Sequence, residues 1–171
     1  MIIVDTREQK PIWDPDEPGV LKLKLDEGDY TTTELKEKAH IERKSGNDLY
    51  GSIIQGHVRF REELKRAKEK GITLAVFVEC EKEQFIGKKF KGGFRLKSKP
   101  AALRKIVSTI EEKYDTEFVW CDGREKLKEK ALQWFDRQIS LNGGHKAEFV
   151  NHDVAGRNIP EQRERRVTWS T

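Results

Sequence analysis

Ile2-Ile3-Val4 is a short unbroken apolar run, the pattern of a buried strand. After an irregular stretch over Lys10 to Gly19, which holds Pro11, Pro15 and Pro18, the pattern changes to strict alternation. Leu21, Leu23 and Leu25 alternate with Lys22 and Lys24, predicting a half-buried strand. Gly28-Asp29 is a turn signal, and Tyr30 to Thr33 has the β-branched content of a strand. Lys36 to Lys38 is predicted as a hairpin loop, and Ala39 to Lys44 as the returning strand. Ser45, with Asp48 three residues on, predicts a capped helix start over Ser45 to Ile54. A charged helix follows from His57 to Lys70, with Gly71 as its stop, and Leu74 to Val78 is a buried strand. Leu103, Ile106, Val107, Ile110 and Tyr114 fall on one helical face behind Pro100. Phe118 to Trp120 is predicted as a short strand, and Asp122 with Glu125 can cap a last helix bearing Leu127, Ala131, Trp134, Phe135 and Ile139. Periodicity stops near Ser140, so a folded unit over 1–140 and a polar tail over 141–171 are expected. The order of elements predicts an α/β fold, a mixed central sheet flanked by helices.

Composition changes this picture in one respect. The chain has 171 residues, with Lys+Arg 34 against Asp+Glu 30, so the net charge is only +4 although 37% of residues are charged. Both signs are therefore mixed over the surface. No apolar stretch approaches the ~20 residues of a membrane span, and the start of the chain lacks the pattern of a signal peptide. The two cysteines, Cys80 and Cys121, form no CxxC pair and follow apolar runs, so they are expected as strand-end thiols of a cytoplasmic or nuclear protein.

The chemistry concentrates between Gly28 and Asp48. Gly28-Asp29 is followed by twelve residues, then Glu42-Arg43-Lys44, then three residues and Asp48. Side chains two apart on a strand share a face, so Glu42 and Lys44 project together and Arg43 points the other way. A hairpin return can place Asp29 beside Glu42, and Asp5, which ends the first strand, can join them. Converging carboxylates at a sheet edge form a hard oxygen site suited to Mg²⁺ or Mn²⁺. A lysine beside such a site adds positive charge where a scissile phosphate would lie. Each fragment alone is commonplace, a turn and a solvated charge run. A charged triplet between apolar strand signals must send at least one charge inward, and a half-buried charge needs a partner or a metal.

Val4-Asp5-Thr6-Arg7-Glu8, Gly28-Asp29, Glu42-Arg43-Lys44-Ser45 and Asp48 resemble the nuclease domain of the XPF family of structure-specific endonucleases, whose signature is GD, a variable gap, ERK, three residues, D. Leu49, Ser52, Ile53 and the strand Val76 to Glu79 extend the resemblance over roughly residues 1–138. It implies a restriction-endonuclease-like PD-(D/E)XK core and Mg²⁺- or Mn²⁺-dependent cleavage of branched, flap or junction DNA in repair and recombination. It also implies Asp5, Asp29 and Glu42 as metal ligands and Lys44 as the catalytic lysine. Arg43 and Asp48 belong to the signature. Both are expected among the catalytic residues, Arg43 as a buried or phosphate-facing guanidinium and Asp48 as a carboxylate that either caps the helix or supports catalysis. The chain departs from the family at Gly56-His57, where Gly-Arg is usual and Arg59 stands nearby. The tail beyond residue 140 is also too short for the paired helix-hairpin-helix modules that help the family grip DNA and dimerise. A homodimer or a partner protein is among the expected assemblies.

The stretch Phe85 to Pro100 carries Lys88, Lys89, Lys91, Arg95, Lys97 and Lys99 without an acid, interleaved with Phe85, Phe90 and Phe94. Such a loop suits phosphate contact and base stacking. Arg163, Arg165, Arg166 and Trp169 read as a solvated tail, and His145 and His152 lack cysteine partners for zinc. The rival readings are a catalytically silent DNA-binding scaffold for a partner nuclease, and a Holliday-junction resolvase. A shared fold does not separate them.

Overall fold

A computed structural model of the chain describes residues 1–90 and 97–143. The apolar run of β1 (Ile2–Asp5) is buried along its whole length because it lies inside the sheet with a strand on each side. β2 (Val20–Leu23) pairs with it in parallel and β3 (Tyr30–Thr32) antiparallel. β3 pairs antiparallel with β4 (Ala39–Lys44), across the turns that span Thr33 to Lys38. β5 (Thr73–Val78) lies parallel to β4, and β6 (Phe118–Trp120) parallel to β5. The six-stranded mixed sheet thus has the order β2-β1-β3-β4-β5-β6.

α1 (Gly46–Ile54) starts where expected: the Asp48 N–H donates to Ser45 Oγ at 3.2 Å. α2 (His57–Glu69) buries Phe60, Leu64 and Ala67. α4 (Pro100–Tyr114) carries its proline in the first turn, and α5 (Gly123–Leu141) runs one residue past the expected boundary at 140. α3 (Lys82–Ile86) was not expected, because five residues are too few to display a helical period.

Strand alternation sorts the core into two layers. Leu74, Val76 and Val78 of β5 face α1, α2, α3 and α4, meeting Leu49, Ile53, Phe60, Phe85 and Leu103. Ala75 and Phe77 face the opposite way, with Ile2, Val4, Tyr30 and Ile41, onto Trp13 and the Leu127, Ala131 and Phe135 stripe of α5. Cys80 and Cys121 are buried free thiols, both pushed up to about 11 by burial. Among the described residues no helix is long and apolar enough to cross a membrane. Lys91, Phe94, Arg95, His145, His152, Arg163, Arg165, Arg166 and Trp169 lie outside the described residues, as does nearly all of the polar tail.

Candidate active site

The site begins at a turn. Gly28 has φ +74, a left-handed value that favours glycine, and a Cβ there would meet the Ile41 carbonyl at 3.0 Å and the Leu74 side chain at 3.1 Å. Four anchors hold this turn. The Asp29 N–H donates to the Ile41 carbonyl at 2.8 Å, and the Gly28 N–H to Glu63 Oε1 at 3.4 Å. A ring nitrogen of His40 lies 2.7 Å from the Glu27 carbonyl oxygen. The Glu27 carboxylate, 1% exposed, accepts from Arg66 Nε and Nη2 at 3.0 Å each, and from Lys70 at 3.2 Å.

These anchors set the Asp29 carboxylate beside β4, where Oδ2 accepts the Arg43 N–H at 2.8 Å. Glu42, the preceding residue, is 8% exposed, and its Oε1 accepts from Lys44 Nζ at 2.7 Å. Lys44 in turn lies over the Phe60 ring of α2, 4.8 Å from its centroid. Three residues along α2 from Phe60, Glu63 reaches the same pocket. Asp29, Glu42 and Glu63 thus gather around one ammonium. Burial, then the Glu42 charge, pushes the Asp29 carboxyl up to about 8, and the same two causes push Glu63 up to about 7. Burial pulls the Lys44 ammonium downward, but Glu42 outweighs it and the net shift is upward. The cluster is short of positive charge.

Asp29 and Glu42 each keep one carboxylate oxygen that accepts no hydrogen bond from a described residue. Two carboxylates, one buried and one half-buried, with unbalanced charge fit Mg²⁺ or Mn²⁺, because Mg²⁺ commonly takes one or two carboxylates and completes its shell with water and substrate phosphate. Among the described residues no group of three or more His, Cys, Asp or Glu side chains is arranged to hold a metal ion. The expected third ligand, Asp5, does not join the pair. Its Oδ1 accepts from the Arg7 N–H at 2.8 Å and Arg7 Nε at 2.7 Å, and its Oδ2 accepts the Leu25 N–H at 2.6 Å. Burial pulls the Asp5 carboxyl upward, but these bonds outweigh it and hold it below the ordinary value.

Arg43 takes the buried form of the two expected, with its donors on carboxylates. It points to the α5 side, where it donates to both oxygens of Glu8 at 3.1 Å and to Glu79 at 3.0 Å. Burial pulls its ionisation downward, and Glu8 with Glu79 more than reverse this. Glu79 also accepts from Arg124 of α5, which donates onward to the carbonyls of Lys10 and Pro11. Asp48 is exposed in the first turn of α1, and its carboxylate accepts from Ser45 Oγ at 2.7 Å. Its observed bonds are those of a cap.

The basic loop is only partly the expected surface. Phe85 is fully buried, and Phe90 stacks on it at 5.5 Å and closes over Gly46, so these two rings serve the core and not a base-stacking platform. Lys89, Lys97 and Lys99 are exposed and Lys88 is half-buried. Glu27 and Glu63 were missed by the sequence reading. Glu27 has no signal, since Asp26-Glu27-Gly28-Asp29 reads as a solvated turn. Glu63 does carry one: it interrupts the apolar stripe of Phe60, Leu64 and Ala67.

The family model of the ERCC4 domain matches residues 4–129, which includes every one of these side chains. The chain belongs to the ERCC4 domain family. Its fold is that of the XPF nuclease domain. It aligns with the structure of XPF from Aeropyrum pernix in complex with DNA at a TM-score of 0.57 and 19% identity, over 83% of this chain and 65% of that one. With a second structure of XPF from Aeropyrum pernix the TM-score is 0.57 and the identity 16%, over 95% of this chain and 69% of that one. The ERCC4 chain thus spans about two thirds of the length of these structures. Among curated proteins no match is found.

Proposed function

We propose that this ERCC4 domain is a divalent-cation-dependent endodeoxyribonuclease that hydrolyses a phosphodiester bond in branched, flap or junction DNA. The observation that carries the reading is the pair of half-buried Asp29 and buried Glu42, with Lys44 on the same face as Glu42 and the Asp29 carboxyl pushed up to about 8. A carboxyl raised in this way marks a site arranged around a charge it does not itself supply. Asp29 and Glu42 would hold Mg²⁺ or Mn²⁺, which when bound lowers the pKa of water and offsets charge on a phosphoryl oxygen. Lys44, freed from Glu42, places its ammonium against the developing negative charge. The Phe60 ring keeps that ammonium in place meanwhile. The Arg43 N–H and the Gly28 turn fix the Asp29 carboxylate, so little ordering is needed when substrate arrives. The DNA complex formed by the structural neighbour from Aeropyrum pernix supports DNA as the substrate.

The test is cleavage of labelled flap, fork, four-way and single-stranded DNAs in Mg²⁺, Mn²⁺ and EDTA. Cutting near the branch in either metal is expected, none in EDTA, and a loss of about 100-fold or more in Asp29→Asn. Binding without metal-dependent turnover would favour a silent scaffold. Symmetric cutting confined to four-way junctions would favour a resolvase.

A further inference from the structure

The pairing that withdraws Asp5 from the carboxylate pair does something else. Asp5 is 1% exposed, whereas the Arg7 side chain it holds is 60% exposed. The guanidinium is fixed along one edge: Nε donates to Asp5 Oδ1 at 2.7 Å, and Nη2 to Asp5 Oδ2 at 3.3 Å and to the Leu25 carbonyl at 2.6 Å. Its other terminal nitrogen, Nη1, donates to no described residue. Arg43 makes the contrast, its guanidinium being almost buried and divided between two glutamates.

Arg7 also stands at the right place. The Asp5 N–H donates to the Asp29 carbonyl at 2.8 Å, so Asp5 is the direct cross-ladder neighbour of the residue on which the site is built. The Arg7 cation lies within electrostatic reach of both Asp29 and Glu63. Any phosphodiester that enters must approach three carboxylates, and the inner cation, Lys44, is already bonded to Glu42. A guanidinium whose inner edge is locked and whose outer N–H groups are open is pre-organised for phosphate oxygens, and little side-chain entropy is lost on binding.

We propose that Arg7 is a phosphate-binding residue for the DNA strand entering the Asp29–Glu42 site, and that Asp5 is its positioning residue. The proposal rests on the reading that this site acts on DNA phosphodiesters. It assigns Asp5 to orienting Arg7 in place of metal ligation.

The experiment uses the full chain and a labelled duplex with a single-stranded arm, with Ca²⁺ replacing Mg²⁺, and measures anisotropy over a salt series. Arg7→Ala is expected to raise the Kd about tenfold and to reduce the slope of log K against log salt by about 1. Arg7→Lys should recover part of the affinity, since it restores charge without the fork. Asp5→Asn should weaken DNA binding although Arg7 is retained. In a separate calorimetric titration without DNA, Mn²⁺ binding should be retained in Arg7→Ala and Asp5→Asn and lost in Asp29→Asn. Wild-type DNA affinity and salt slope in both Arg7 variants would overturn the proposal. So would loss of Mn²⁺ binding in Asp5→Asn, which would make Asp5 a metal ligand. If the wild-type chain binds this DNA through Arg7 but cuts nothing in any metal, the hydrolytic reading fails and the phosphate contact stands. If Arg7→Ala does not fold, Arg7→Lys and Arg7→Gln carry the same comparison.

Discussion

At Asp29 the same physics that suits a cation works against the fold. Its carboxyl, raised from 3.8 to about 8 by burial and Glu42, binds a proton more tightly in the folded chain than in the unfolded one. Stability from this group is therefore fully present below the unfolded pKa and is lost as pH rises toward 8. Glu63, raised from 4.5 to about 7, acts in the same direction, and the two titrate as parts of one cluster. Asp29→Asn is expected to raise the Tm of the metal-free protein more at pH 8 than at pH 5. The difference should be at least about 1 kcal/mol, a few degrees for a chain of this size. Thermal melts in EDTA at the two pH values check it. An equal effect at both would show that Asp29 is not held in this state. Asp29, Glu42 and Lys44 were legible because their joint spacing is unusual, although each fragment alone is commonplace. Glu27 and Glu63 were hidden because a charge counts as solvated until a helix is known to cover it. The sequence also offered Asp5 for a metal, since a residue number cannot tell which side chain has claimed a carboxylate.

At the scale of elements, the turn into β3 is the part with least freedom. α2 reaches it through Glu63 and Arg66, and β4 through Ile41 and His40. Gly28→Ala is expected to destabilise the chain by about 1–3 kcal/mol, through strain at a positive φ and a close approach to the Ile41 carbonyl. Chemical denaturation should show a lower midpoint with an unchanged slope. Residual cleavage at temperatures where the variant is folded should also fall, since the Asp29 carboxylate moves with the turn. The four longer helices were readable from a repeated period or a cap, and β1 and β5 from unbroken apolar runs, whereas the alternation expected of β2 is not kept, Leu23 being exposed. α3 was not readable, its five residues supplying only Phe85 and Ile86 to the core. The phenylalanines that looked like a stacking surface are explained by the same packing. Two of them are what α3 and the loop after it contribute to the interior.

Across the whole molecule, α5 is joined to the sheet at the site end by the ion-pair chain Glu8, Arg43, Glu79 and Arg124. It ties the β1 loop, β4, the end of β5 and α5 together. The Glu8 side chain is 5% exposed and that of Glu79 16%. Arg43→Ala would leave both with a lost partner in a dry setting, and a loss of about 3–5 kcal/mol is expected. Arg43→Lys should restore part of it. Equilibrium unfolding of the two variants measures the difference, and a loss below about 1 kcal/mol would mean that the chain is ornamental. The mixed α/β class was readable from the order of elements. The division of β4 between two layers, with Glu42 and Lys44 toward α2 and Arg43 toward α5, was readable from alternation alone. What covers each layer was not, because it depends on contacts distant in sequence. That division has an evolutionary consequence. Deleting or inserting one residue within Ile41 to Lys44 would exchange the two sets of side chains, sending the Glu42–Lys44 ion pair toward the α5 core and Arg43 toward α2. Length changes between Thr33 and Lys38 leave that frame intact, provided that Leu35 stays in the core and the Lys36 carbonyl stays beside His40. Gaps between Gly-Asp and Glu-Arg-Lys that keep this packing should thus be tolerated among relatives, while the triplet tolerates no change of frame.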